Sequence, residues 1–113
     1  MVDPTPFRRP VRWDRLRTDE AERVIRERAA VTAKVRFALH AFDRIDDRSI
    51  TQVDAYRILR EGYVEALQKN LEGEWEAIVT KRMPGSREAA VVTIVFRQVD
   101  ELFVKTVMWQ DVT

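Results

Sequence analysis

At 113 residues, with 35% charged and 45% hydrophobic side chains, the chain has the composition of one folded domain and not of a disordered tail or a membrane-embedded segment. The absence of cysteine excludes disulfides and thiolate-bound metal; no apolar run reaches the length of a membrane span or resembles a signal peptide, so a cytoplasmic location is expected. The formal net charge is +1, small for a chain whose main task is to hold a phosphate backbone, but it is unevenly spread: residues 1–36 are basic, 37–76 acidic and 77–113 close to balance.

Residues 1–12 hold three prolines and three arginines with no apolar period, and are expected to form a flexible basic arm ahead of a single domain over 13–113. In TDEAERVIRERAAVT, 18–32, residues Ala21, Val24, Ile25, Arg28 and Ala29 recur at helical spacing behind Thr18 as a cap, which predicts a first helix. Lys34–Phe37 is rich in β-formers but short, and reads as one extended step between helices. A second helix is predicted over Ala38–Arg48, with Ala38, Leu39, Ala41, Phe42 and Ile45 on one face and His40, Asp43, Arg44, Asp47 and Arg48 on the other. Thr51 with Asp54 three residues on, after Ile50, has the form of a capping box opening a third helix. Its buried stripe is Ala55, Ile58 and Leu59, and Gly62 is expected to end it in the left-handed conformation. From Tyr63 the period moves toward two, predicting strands at 63–68, 74–82, 88–97 and 101–109 with turns at 70–73, 84–86 and 99–100. The expected fold is therefore α+β: N-terminal helices followed by a four-stranded antiparallel meander, with the helices on one face.

Histidine is the natural acid or base near neutral pH, and arginine offers a fork of donors that matches phosphate oxygens. His40, Arg44 and Arg48, spaced at successive helical turns, thus form a candidate anion site, with Asp43 able to orient the imidazole. Lys81 and Lys105, on strands expected to lie near each other, are candidates for a second role, and Thr106 for a donor to phosphate. The same helix face is equally compatible with a solvated surface, or with arginines that clamp the helix to the sheet. Asp43, Asp46 and Asp47, with Asp54 nearby, do not predict a metal site, because Asp43 and Asp47 point one way and Asp46 another, and no dinucleotide, zinc or nucleophile motif is present. Trp75 and Trp109 fall at strand spacing and read as core; Trp13 is compatible with anchoring the arm either on the domain or on a partner.

The stretch FALHAFDRIDDRSI, 37–50, resembles the H-A-x-x-R-M-x-x-R-x-I signature of the bacterial domain of unknown function 4258. Leu59–Gly62, Glu74–Trp75, Gly85–Ala89 and Lys105–Asp111 continue in step, so the resemblance spans roughly residues 18–111. Ala38 replaces the usual Ser or Thr, and Ile45 the usual Met. That family is similar in architecture to the RelE and ParE toxins, which implies a RelE-like fold and RNA cleavage without metal or cofactor. On this resemblance His40, Arg44 and Arg48 act on the scissile phosphate, and Lys81, Arg87, Lys105 and Thr106 hold RNA phosphates. It also implies an antitoxin-like protein partner. The alternative from the same residues is a non-catalytic module that keeps the fold and binds a protein or nucleic acid.

Overall fold

The computed structural model describes residues 11–43 and 50–110, so the predicted arm up to residue 10, with Arg44 and Arg48, lies outside the described residues. The first helix, α1, covers Thr18–Ala29 and buries Ala21, Val24, Ile25, Arg28 and Ala29, the stripe that the spacing predicts. Its N-cap is Arg17 and not Thr18: the Glu20 carboxylate reaches back to accept the Arg17 amide at 3.2 Å. The helix stops three residues short of the predicted end, because the Val31 amide bonds back to Arg28 O and a 3-10 turn over Thr32–Lys34 follows.

The extended step is a strand, β1, over Val35–Phe37, and it pairs in parallel with β5, Leu102–Trp109. This corrects the four-stranded antiparallel expectation: the fold is α+β, but the sheet has five strands in the order β1-β5-β4-β3-β2 and is mixed. Three residues are too few to display a period of two, which is why the strand escapes the sequence pattern.

The second correction concerns residues 38–48. No helix forms over 38–43: the segment is a series of tight turns, with the Ala41 amide bonded to Ala38 O and the Asp43 amide to His40 O. Its backbone is instead engaged by β5, since the Ala38 amide donates to Val104 O and Ala41 O accepts from the Val107 amide, both at 2.8 Å. Ala41 is 1% exposed and Leu39, assigned by periodicity to the buried face, is 91% exposed.

The helix after the described gap, α2, covers Gln52–Glu61. Its start is the predicted capping box, with Asp54 N donating to Thr51 Oγ1 and Thr51 N to Asp54 Oδ2, and Ile50 buried just ahead of it. Gly62 ends it in extended backbone, φ −78 and ψ −177, and not in the left-handed conformation. Glycine is required there for space: a Cβ would lie 2.6 Å from both Ile58 O and Thr80 O.

The remaining strands are β2, Tyr63–Lys69, β3, Trp75–Met83, and β4, Arg87–Val95, joined to β5 as an antiparallel meander. Gly73, Gly85 and Ser86 hold the positive φ values that their turns need. On one face Val79, Val91, Val95, Leu102, Val104 and Val107 pack against Ile25, Ile58 and Leu59 of the helices. The opposite face carries Ile78, Val92, Ile94 and Phe103, partly exposed, with no helix over it among the described residues.

One charged side chain sits inside this core. Arg28, 7% exposed, donates from Nη1 to Phe96 O and Glu101 O at 2.8 and 2.9 Å and from Nε to Asp100 Oδ1 at 3.1 Å, with the Trp13 ring 5.6 Å from its guanidinium. Burial pushes its pKa down and Asp100 pulls the other way. Asp100 also accepts from Lys34, and its carboxyl is held below the usual carboxylate range by that ammonium first and by Arg28 second. Elsewhere Arg26 donates to Gly62 O, Arg60 to Ala29 O, and the Val64 amide to Glu22, so α1 is tied to α2 and to the β2 edge by polar bonds as well as by apolar contact.

Three outcomes are expected. Arg28→Ala takes the donor from two part-buried carbonyls, those of Phe96 and Glu101, and destabilises the fold by about 3 kcal/mol in urea unfolding. Because the folded Asp100 pKa is depressed, its contribution is complete above the unfolded value and is lost as pH falls through the folded one; acid titration of stability therefore flattens at its low end in Asp100→Asn. Gly62→Ala forces apart α2 and β3 and lowers stability by roughly 2 kcal/mol or more, read as a shifted unfolding midpoint.

Candidate functional site

His40 stands on the turn that leaves β1. Phe37 holds the base of that turn, its ring 5.7 Å from Phe42 and 5.6 Å, edge-on, from Tyr56 of α2. Buried Ala41 and its bond to Val107 fix the other side. The imidazole is left outside, 74% exposed, with Nδ1 2.9 Å from Asp43 Oδ2. The predicted partnership with Asp43 is thus present, but a turn creates it and not a helix. Nε2 is the ring nitrogen left to meet a substrate.

Strand pairing places the other candidates relative to this turn. Lys81, Ala89 and Trp109 lie side by side across β3, β4 and β5, and Val107, which bonds Ala41, is two residues before Trp109. Arg87, one pleat beyond Ala89, stacks its guanidinium 3.8 Å from the Trp109 ring centroid. His40, the Arg87–Trp109 pair and Lys81 therefore share one end of the sheet, with about 14 Å of sheet width between the His40 turn and β3.

Lys105 and Thr106 do not join them. The β4–β5 register shifts between Val92 and Thr93, which makes Lys105 an extra residue in β5 and puts Thr106 opposite Val92 on the face away from the helices. Lys105 reaches over that face to Glu76 Oε2 at 3.2 Å, while Asn70 donates to the same oxygen. Lys81 shares the face of Val79 and Met83 and pairs with Glu61 Oε1 of α2 at 3.5 Å. The two lysines thus lie on opposite faces of the sheet, each beside a carboxylate, where the sequence places them near each other.

Two features have no counterpart in the sequence reading. Beside Lys81 a cleft of about 420 Å³ opens between the end of α2 and the β3–β4 turn, lined by Arg57, Glu61, Lys81, Arg82, Met83 and Pro84. Arg57 and Glu61, four residues apart on a predicted helix, and the adjacent Lys81 and Arg82 were its available signal. On the open face, buried Thr80 donates within a cluster formed with Glu65 of β2 and Gln110 beyond β5, and Gln110 reaches Glu65 across the small Ala90. Among the described residues no three imidazole or carboxylate groups are grouped as metal ligands, and no helix is long and apolar enough to cross a membrane.

Compared with protein-family models, with curated proteins and with solved structures, the chain gives no match.

Proposed function

We propose that this chain is a RelE-like domain that cleaves RNA without a metal ion, with His40 as the proton-transfer group. The observation that carries the reading is the His40–Asp43 pair: an exposed imidazole whose Nδ1 is held by a carboxylate at 2.9 Å, so that Nε2 can take the proton of a ribose 2′-hydroxyl. Attack of that oxygen on the adjacent phosphorus forms a cyclic phosphate and expels the 5′ oxygen, which needs a proton in turn. One histidine serves one of these transfers at a time, so water or a second group completes the other. Arg87, stacked on Trp109 at the same end of the sheet, supports the reading as a donor to phosphate beside an aromatic surface. Arg44 and Arg48, four and eight residues after His40 in the sequence, are assigned to the same anion. A toxin of this kind works with a neutralising, antitoxin-like protein, for which the partly exposed Ile78, Val92, Ile94 and Phe103 are a suitable surface.

A second reading, a binding module with the same fold and no catalysis, is favoured by a separate observation. Lys81 and Lys105 are already paired with Glu61 and Glu76 and lie on opposite faces, so they do not form one phosphate cradle. Purified chain incubated with single-stranded RNA and a chelator decides between the two. The expected result is fragments ending in 2′,3′-cyclic phosphate, at a rate that falls by about a hundredfold or more in His40→Ala. RNA that is bound but left intact, or cut equally by His40→Ala, removes the ribonuclease reading and leaves the module.

A further inference from the structure

Strands β1 and β2 stand at the two ends of the sheet, so each presents an edge. β1 spans only Val35–Phe37, and the longer edge belongs to β2, Tyr63–Lys69. The direction of the β2 backbone groups follows from one bond: the Asn70 amide donates to Glu74 O, across the turn to β3. Alternation along an antiparallel ladder then turns Gln68 inward and Leu67 and Lys69 outward. Beyond the bulge between Val64 and Ala66 the Val64 amide also faces outward, where Glu22 of α1 takes it at 3.0 Å. The bulge and Glu22 close the upper end of the edge and leave Leu67 and Lys69 as its outward pair.

These two residues are symmetric about Gln68. A two-fold axis through Gln68 sets Leu67 against Lys69 of a second copy and Lys69 against its Leu67, so each outward amide meets an outward carbonyl in reciprocal N–H···O pairs. An axis through Leu67 would instead set Lys69 against the bulged Glu65 and leave it without a regular partner. Charge agrees with the first register. Lys69, whose ammonium lies 5.3 Å from the Trp75 ring, shares the helix-bearing face of the sheet, and Glu22 reaches the edge from that same side. The axis brings Lys69 of each copy beside Leu67 of the other, toward its Glu22. Leu71, 103% exposed in the turn after β2, comes beside Tyr63 of the second copy, itself 48% exposed, so that two exposed apolar side chains meet.

We infer that the β2 edge pairs with the β2 edge of a second copy, antiparallel about Gln68, and joins two five-stranded sheets into one continuous sheet. Few residues meet, so the contact is small and the dimer dissociates on the order of tens of micromolar. The pairing goes beyond the ribonuclease reading and stands without it, since β1 and the His40 turn lie at the opposite edge of each sheet.

Sedimentation equilibrium of the full chain over a concentration series spanning that range tests this, together with amide hydrogen exchange. A reversible monomer–dimer equilibrium is expected, with the Leu67 and Lys69 amides exchanging more slowly as concentration rises and the β1 amides unchanged. Lys69→Pro removes an outward donor that no strand of the chain itself uses, at an edge where proline is tolerated, and weakens the dimer by about tenfold or more. Lys69→Glu, which keeps every backbone group and sets two carboxylates side by side, weakens it by about fivefold and carries the test should the proline variant unfold. Val99→Asp, at an exposed position in the β4–β5 turn, leaves it unchanged. A chain that is monomeric at every concentration, a dimer indifferent to both Lys69 variants, an equal loss in Val99→Asp, or concentration-dependent protection in β1 in place of β2 each overturns the assignment. RNA is absent from these measurements, so failure here leaves the His40 proposal standing, and the reverse also holds.

Discussion

A single buried guanidinium sets the register of the molecule. Arg28 occupies the apolar stripe of α1, where a charge is tolerated only when its donors are matched. They are matched by the far end of the meander: Phe96 O, Glu101 O and Asp100 all belong to the segment that joins β4 to β5. The first helix is thereby bolted to the last hairpin. Since β5 in turn carries β1 and the His40 turn, the placement of the candidate site descends from this one cluster. Apolar contact alone is non-directional and would not specify that alignment.

How much of this the sequence disclosed depended on where each backbone group finds its partner. α2 was legible because its signals are local: Thr51 and Asp54 cap each other, and Ala55, Ile58 and Leu59 recur on one face. The four long strands were legible from period and turn residues, with boundaries within a residue or two. The segment after β1 was not, although its apolar residues have helical spacing. Val104 O and the Val107 amide compete for its backbone, and a distant strand leaves no mark in a local pattern. Nor does alternation survive an inserted residue: the bulge at Lys105 moves that lysine and Thr106 to the face away from Lys81. Gly62 was read correctly as a terminator but for the wrong reason, because steric approach of β3, and not φ, demands glycine.

Much of the charge is paired within the fold. Lys105 with Glu76, Lys81 with Glu61, Arg36 with Glu101 and Lys34 with Asp100 each join residues distant in sequence, so these four cations are matched inside the fold. The basic first third is therefore balanced in part inside the fold, though not by the acidic middle: Arg26 pairs with Glu22 within α1, while Arg28, Lys34 and Arg36 pair with Asp100 and Glu101 of the β4–β5 turn.

The parallel union of β1 with β5 has a kinetic meaning. Residues 35–37 are made before their strand partner, 102–104, so on a growing chain the loop bearing the imidazole has no ladder to grip until β2, β3 and β4 have been made. The helical hairpin and the first strands can assemble beforehand. The turn that carries His40 therefore takes its final place only after the meander is in hand.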